Sequence, residues 1–333
     1  MTDMMHNFEI LQPSSLNEAA ALLDKYGDDG WAIAGGKDSF DWFKDRVKRP
    51  KYLVDLANIQ ELHGISDKGD HISIGAMVTL SELNTNKLVR ESFPVIADAA
   101  GRVASPQIRN SGTIGGNICQ DTRCAYYRDG FPCYRAGGNT CYANTPTAMN
   151  REHTLFEAKR CVAVTPSDLA PALSVLDAEM VIVRDGKSRI VSVKDFFVGP
   201  EIDIQRMTAV ERKKGDLLVE IRIPKTWAGS KQYFEKVADR QVWDFALVNV
   251  AMVAKLGADG KIAGCQIACG AVQCTPRRLA DVESLVVGEK PGVELEKLVE
   301  RVAARGAKPL NYNHFKAPLM SQLAKRALRS LSA

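Results

Sequence analysis

Apolar residues recur at helical spacing in "SSLNEAAALLDKYGDDG" (14–30), which predicts an amphipathic helix. Ser15 and Glu18 form a capping-box pattern ahead of it, and Gly27 supplies a C-terminal stop. "WAIAGGKDSF" (31–40) then reads as a short apolar strand breaking into a glycine turn. "YLVDLANI" and "HISIGAMVTL" are strand-like, Thr79 and Glu82 form a second capping box, and 93–105 is predicted helical. After a stretch with few regular signals (119–161), residues 160–193 read as strand, turn, short helix and a hairpin around Asp185-Gly186. "LLVEIRIP" (217–224) alternates like a half-buried strand and ends at a proline. From 231 the strands "KQYFEKVA", "FALVNVAMVAKL" and "KIAGCQIACGAVQC" follow one another, and helices are expected from about 277. Strands followed by helices suggest a separate C-terminal α+β unit, with the boundary near Pro224. The length of 333 residues suits such a division.

Composition narrows the class. A net charge of +4 gives no reason to invoke nucleic acid, and "ERKKGD" (211–216) reads as a solvated loop. "MTDMMHNFEILQPSS" lacks the basic start and apolar run of a secretory signal. No apolar stretch approaches the roughly 18 residues of a membrane span. A cytoplasmic setting is therefore expected, where thiols stay reduced and clustered cysteines point to metal or catalysis.

That matters because Cys119, Cys124, Cys133 and Cys141 crowd into "CQDTRCAYYRDGFPCYRAGGNTC", with Cys161 beyond. From Cys124 the spacing is C-x8-C-x7-C-x19-C. Four thiolates can enclose one Zn²⁺ or a [4Fe–4S] cube. Structural zinc draws on tight C-x2–4-C knuckles, whereas separate loops can each deliver a thiolate to one corner of a cube. Spacing alone therefore ranks an iron–sulfur cluster over zinc, and either over no metal. Cys265, Cys269 and Cys274 sit in an apolar strand pattern and read as small buried hydrophobes. Cys119, next to a glycine turn, is left out of the ligand set. Tyr126 and Tyr127 fit either a place between two redox groups or simple packing.

Two glycine turns, "AIAGGKDSF" (32–40) and "NSGTIGGNI" (110–118), could cradle phosphates. Exposed backbone N–H groups make anion-binding nests, and glycine allows close approach. Neither turn has Rossmann or P-loop spacing, so each alone is weak. There is no Ser/His/Asp set, and the five histidines show no metal-ligand spacing. No residue is put forward as a substrate acid or base.

Taken together, "IAGGKDSF", "DLANIQEL", "SIGAMVTLSEL", "SPQIRNSGTIGGNI", "TPSDLAPAL", "EKVADRQVWDFALVNVA" and "ACGAVQCTPRRL" resemble the FAD-binding medium subunit of the molybdenum hydroxylase (xanthine oxidase) family. The pieces run in order along nearly the whole chain. The resemblance implies an α+β fold: a two-subdomain flavin fold of the vanillyl-alcohol oxidase (PCMH) type over 1–224, split near 57, then a C-terminal α+β domain over 225–333. The cysteine loop resembles that of 4-hydroxybenzoyl-CoA reductases and periplasmic aldehyde oxidoreductases. It implies a [4Fe–4S] cluster on Cys124, Cys133, Cys141 and Cys161, in the loop 119–161.

Carried over, the FAD pyrophosphate would lie on Ile33, Ala34, Gly35, Gly36, Lys37, Asp38, Ser39 and Phe40. Thr113, Gly115, Gly116 and Asn117 would close the other side, and Asp168 would hydrogen-bond the ribityl or nucleotide part. Lys236 and Arg240 match the family's "EKVADR" pattern, with an ordinary charged face as the alternative. Many members read A-G-G-T-D, so Lys37 is a departure. The implied role is electron transfer beside a molybdopterin large subunit and a [2Fe–2S] small subunit, as a heterotrimer or a dimer of heterotrimers. An external carrier such as ferredoxin or NAD would complete the chain. The substrate (an aromatic acyl-CoA, an aldehyde or an N-heterocycle) and electron direction stay open, as does export with a signal-bearing partner. The competing readings are a zinc-stapled FAD subunit, a free-standing flavoprotein and a non-enzymatic, zinc-stabilised assembly protein.

Overall fold

The computed structural model describes residues 5–156, 158–211 and 215–332. Arg212, Lys213 and Lys214 of the expected "ERKKGD" loop, and the first four residues, lie outside them. Among the described residues the strands form three sheets. β1 (Glu9–Leu11), β2 (Gly30–Ile33) and β3 (Tyr52–Asp55) make a parallel sheet in the order β1-β3-β2. β4 (Ile65–Asp67), β5 (His71–Gly75), β6 (Glu179–Arg184), β7 (Lys187–Ser192) and β8 (Leu217–Pro224) pair antiparallel as β4-β5-β8-β6-β7. β9 (Lys231–Val237), β10 (Val248–Leu256), β11 (Ile262–Gly270) and β12 (Arg277–Arg278) form the third, in the order β12-β11-β10-β9. The architecture is α+β.

The cores follow from the sequence periods. Helix Leu16–Tyr26 turns Ala19, Ala20 and Leu23 onto Val54, Ile59, Val181 and Leu217, which joins the first two sheets. Ser15 caps that helix, but Glu18 reaches the N–H of Ser14 (2.8 Å), one residue earlier than a capping box requires. Thr79 and Glu82 close a complete box. Under the five-stranded sheet, Ile72, Ile74, Met180 and Ile221 pack on the helices Pro94–Gly101 and Leu169–Val175. Each such fully buried Leu or Ile contributes about 1.5–3 kcal/mol. The third sheet rests on helices Ala280–Val286, Val293–Val302 and Lys316–Arg329. Leu155 and Phe156, at the end of the cysteine stretch, join that third core.

One expected strand does not form. Residues 161–167 are irregular, because their bonds go singly to different neighbours: Thr154 N to Val162 O (2.9 Å) and Thr165 N to Gln273 O (3.0 Å). The cysteine stretch itself holds only short helical turns, such as Ala125–Arg128. No helix among the described residues is long and apolar enough to cross a membrane.

Candidate functional site

The C-terminal ends of β2 and β3 face the start of β8 across a cleft with about 2170 Å³ of atom-free space. The first glycine turn leaves β2 and opens directly into helix Ser39–Lys44. The second turn begins helix Ile114–Cys119, with Thr113 as N-cap. The two turns touch backbone to backbone: a Cβ on Gly35 would collide with the carbonyl of Ser111. Gly36 has φ +70°, a conformation that glycine adopts without strain. Gly115 approaches the Ala76 carbonyl so closely that a Cβ would lie 2.8 Å from it.

Their hydrogen bonding differs. In the second turn Gly115 N–H donates to Ala76 O (2.9 Å), Asn117 N–H to Thr113 O (2.9 Å) and Gly116 N–H to Thr113 Oγ1 (3.0 Å). In the first, no acceptor among the described residues takes the N–H groups of Gly35, Gly36, Lys37 or Asp38. These four donors, in a turn that lines the cleft, are suited to oxygens of a bound anion. The exposed side chain of Lys37 stands beside them with no ion pair among the described residues.

Most of the residues expected at the flavin line this cleft: Ala34 to Ser39, Thr113, Gly115, Gly116, Asn117 and Asp168. Ile33, Phe40 and Lys236 do not. Ile33 is in a core with Trp42, Phe43 and Leu53, and the ring of Phe40 packs edge-on to Phe43. Lys236 is buried and points inward, donating to Asp168 Oδ2 (2.6 Å), Asp244 O (2.8 Å) and Arg102 O (3.1 Å). Asn249 completes the set through Asp168 Oδ1 (2.7 Å). Burial pushes the Asp168 carboxyl above its ordinary range, while Lys236 and Asn249 pull it back. This network fixes one wall and ties down the loop between β9 and β10. From that loop Arg240, Trp243, Asp244 and Phe245 reach the cleft. Apart from Arg240, nothing in the local sequence announced them. Asp216 lies at another edge, its carboxylate held at about 2 by Arg189, Arg184 and the N–H of Glu211 against the cost of burial.

Cys124, Cys133, Cys141 and Cys161 line a second, smaller cavity with about 290 Å³ of atom-free space. Cys119 lines the cleft instead, and Cys265, Cys269 and Cys274 are buried. Between cleft and cavity runs the peptide Asp121–Cys124, whose alternate residues Asp121 and Arg123 face the cleft while Thr122 and Cys124 face the cavity. Arg128 braces this wall: it pairs with Asp38 Oδ1 (2.5 Å), donates to Thr122 O (3.0 Å) and lies over the Trp42 ring at 3.9 Å. Tyr126 and Tyr127 line the cavity and not the cleft, Tyr127 against Trp42 at 5.2 Å.

Burial pushes the Cys124 thiol up to about 12, and the neighbouring Cys161, Cys141 and Cys133 push the same way. Cys141 is also raised, chiefly by burial. One positive donor faces the sulfurs: Arg135, almost fully buried with its Nε unpartnered, reaches Cys274 Sγ (3.6 Å) and faces Cys161. His153 Nε2 lies 3.3 Å from Cys124 Sγ. Its pKa falls to about 4, mainly through burial. Among the described residues no three Cys, His, Asp or Glu side chains converge closely enough to hold one metal ion. The structure thus gathers four thiols round one cavity, with the unpartnered Nε of Arg135 and the His153 imidazole beside them.

Residues 6–226 match the family described as FAD binding domain in molybdopterin dehydrogenase, and residues 232–331 match the CO dehydrogenase flavoprotein C-terminal domain. The FAD-binding subunit PaoB of aldehyde oxidoreductase from Escherichia coli (strain K12) is 34% identical over 236 residues, 69% of this chain and 72% of that one. The medium chain of carbon monoxide dehydrogenase from Hydrogenophaga pseudoflava is 29% identical over 97% of this chain and 96% of its own. Among solved structures, a chain of reconstituted CO dehydrogenase from Oligotropha carboxidovorans superposes with a TM-score of 0.78 at 25% identity, over 99% of both chains.

Proposed function

This chain belongs to the family of FAD-binding domains of molybdopterin dehydrogenases, and from that premise we propose that it is an electron-transfer subunit carrying both FAD and a [4Fe–4S] cluster. It is a flavoprotein subunit of the molybdenum hydroxylase type. In this reading it works beside a molybdopterin-bearing large subunit and a [2Fe–2S] small subunit, and exchanges electrons with an external carrier such as ferredoxin or NAD. FAD, when bound, exchanges electrons in pairs or singly, and a [4Fe–4S] cluster exchanges them singly, so the two together convert one kind of traffic into the other.

The chain's own part is to bind, orient and separate. Gly35 to Asp38 would offer their N–H groups to the pyrophosphate, and the Lys37 ammonium would add charge beside them. The Asp168–Lys236–Asn249 network holds the wall behind the flavin without spending Lys236 on it. Cys124, Cys133, Cys141 and Cys161 would hold the cluster, and the peptide Asp121–Cys124 has residues lining both cavity and cleft.

The observation that carries the cluster is the meeting of four cysteines, spread over 38 residues of sequence, round one cavity. A single zinc is the second reading. It would draw the same four sulfurs to about 2.3 Å from a single ion. The test is flavin, iron and zinc content of anaerobically purified protein. One FAD and about four irons per chain are expected. FAD with stoichiometric zinc would make the loop a structural staple, and absence of FAD would overturn the functional reading.

A further inference from the structure

The cysteine cavity contains a histidine that neither the flavin reading nor the ligand set uses. His153 is 6% exposed, and its Nε2 stands 3.3 Å from the sulfur of Cys124. Its Nδ1 is buried with no partner. The tautomer with hydrogen on Nε2 strands no donor, and it directs that N–H at the sulfur. The ring is held from behind. The His153 carbonyl accepts from Asn313 Nδ2 (3.0 Å) and Lys316 Nζ (2.9 Å), both fully buried, and Asn313 also takes the Thr154 carbonyl (2.9 Å). Lys316 further donates to Ala271 O (2.6 Å). Burying an ammonium among carbonyls is costly unless it is fully bonded, so this clamp fixes the loop end at the imidazole. Cys124 directly follows Arg123, which lines the cleft.

We infer that His153 is a positioning residue that donates a hydrogen bond to the Cys124 sulfur and so raises the reduction potential of the cluster. The inference rests on the cluster reading above. A donor to a ligand sulfur stabilises the reduced, more negative state over the oxidised one.

The test is a redox titration of the holoenzyme, read by EPR of the reduced cluster, in wild type, His153→Phe and His153→Gln. Flavin absorbance checks folding. His153→Phe is expected to keep its iron and FAD, while the reduced-to-oxidised ratio at the wild-type midpoint falls about tenfold, about 59 mV for a one-electron couple. His153→Gln, whose amide N–H has similar reach, should recover most of that shift. An unmoved midpoint in His153→Phe, equal shifts in Phe and Gln, or loss of iron from His153→Phe would each overturn the inference. Wild-type protein with FAD but no iron would overturn the cluster reading itself, and the inference with it.

Discussion

The two glycine turns look alike in sequence but spend their N–H groups differently. Both present Gly-Gly and a polar residue, and both open into short helices. Yet the turn at Gly35–Asp38 leaves four N–H groups with no acceptor among the described residues, while the turn at Thr113–Asn117 consumes N–H groups of its own through Ala76 and Thr113. The first has the donors to bind. The second also lines the cleft and packs on the first, Gly35 meeting Ser111 with no room for a side chain. Whether a glycine pair is a nest or a prop depends on where its N–H groups go, and composition does not reveal that.

The largest effect should come from the contact that makes the comparison possible. Gly35→Ala drives a methyl into the Ser111 carbonyl and forces the turns apart, costing about 3 kcal/mol or more. Purified protein should lack FAD and melt early; full flavin content would show that the turns can separate harmlessly.

The next prediction probes the cleft away from both turns. Asp216 has its carboxylate lowered from 3.8 to about 2 by Arg189, Arg184 and the Glu211 N–H. A lowered folded pKa contributes stability that is full above about pH 4 and is lost as pH falls toward 2. The contribution is about 2 kcal/mol. Thermal melts of wild type should show this loss between about pH 4 and 2, and Asp216→Asn should flatten that limb.

Thr113→Ala removes the cap on the bracing helix, the bond from Gly116 N–H at 3.0 Å. It should cost about 1 kcal/mol of stability while FAD affinity barely changes. A large loss of FAD affinity here would mean the second turn binds after all. Smallest is Lys37→Ala: an exposed ammonium beside the free N–H groups should be worth up to about tenfold in FAD affinity at low salt and less at high salt. An equal effect at all salt concentrations would place the ammonium in solvent-independent contact.

Much of the scaffold was legible because its causes are local. Thr79 and Glu82 close the box their spacing announced, and Asp185-Gly186 turns the β6–β7 hairpin with both residues at positive φ, 49° and 68°. The expected strand at Cys161–Thr165 failed because its partners are single bonds from distant loops. In the site, non-local pairing defeated the pattern. Lys236 alternates along β9 like a surface lysine, but its ammonium is spent on Asp168, 68 residues earlier. Trp243 and Phe245 reach the cleft only because that network ties their loop back. His153 is a lone histidine in an irregular stretch, and only the fold shows the Cys124 sulfur beside it.

The most direct test of the central claim, that flavin cleft and cysteine cavity are paired redox sites, is EPR of anaerobically purified protein reduced with dithionite, in wild type and Cys133→Ser. Wild type is expected to give a reduced [4Fe–4S] signal that is lost in the variant while FAD remains bound. A wild type with flavin and no iron signal, or a signal indifferent to Cys133, would contradict it.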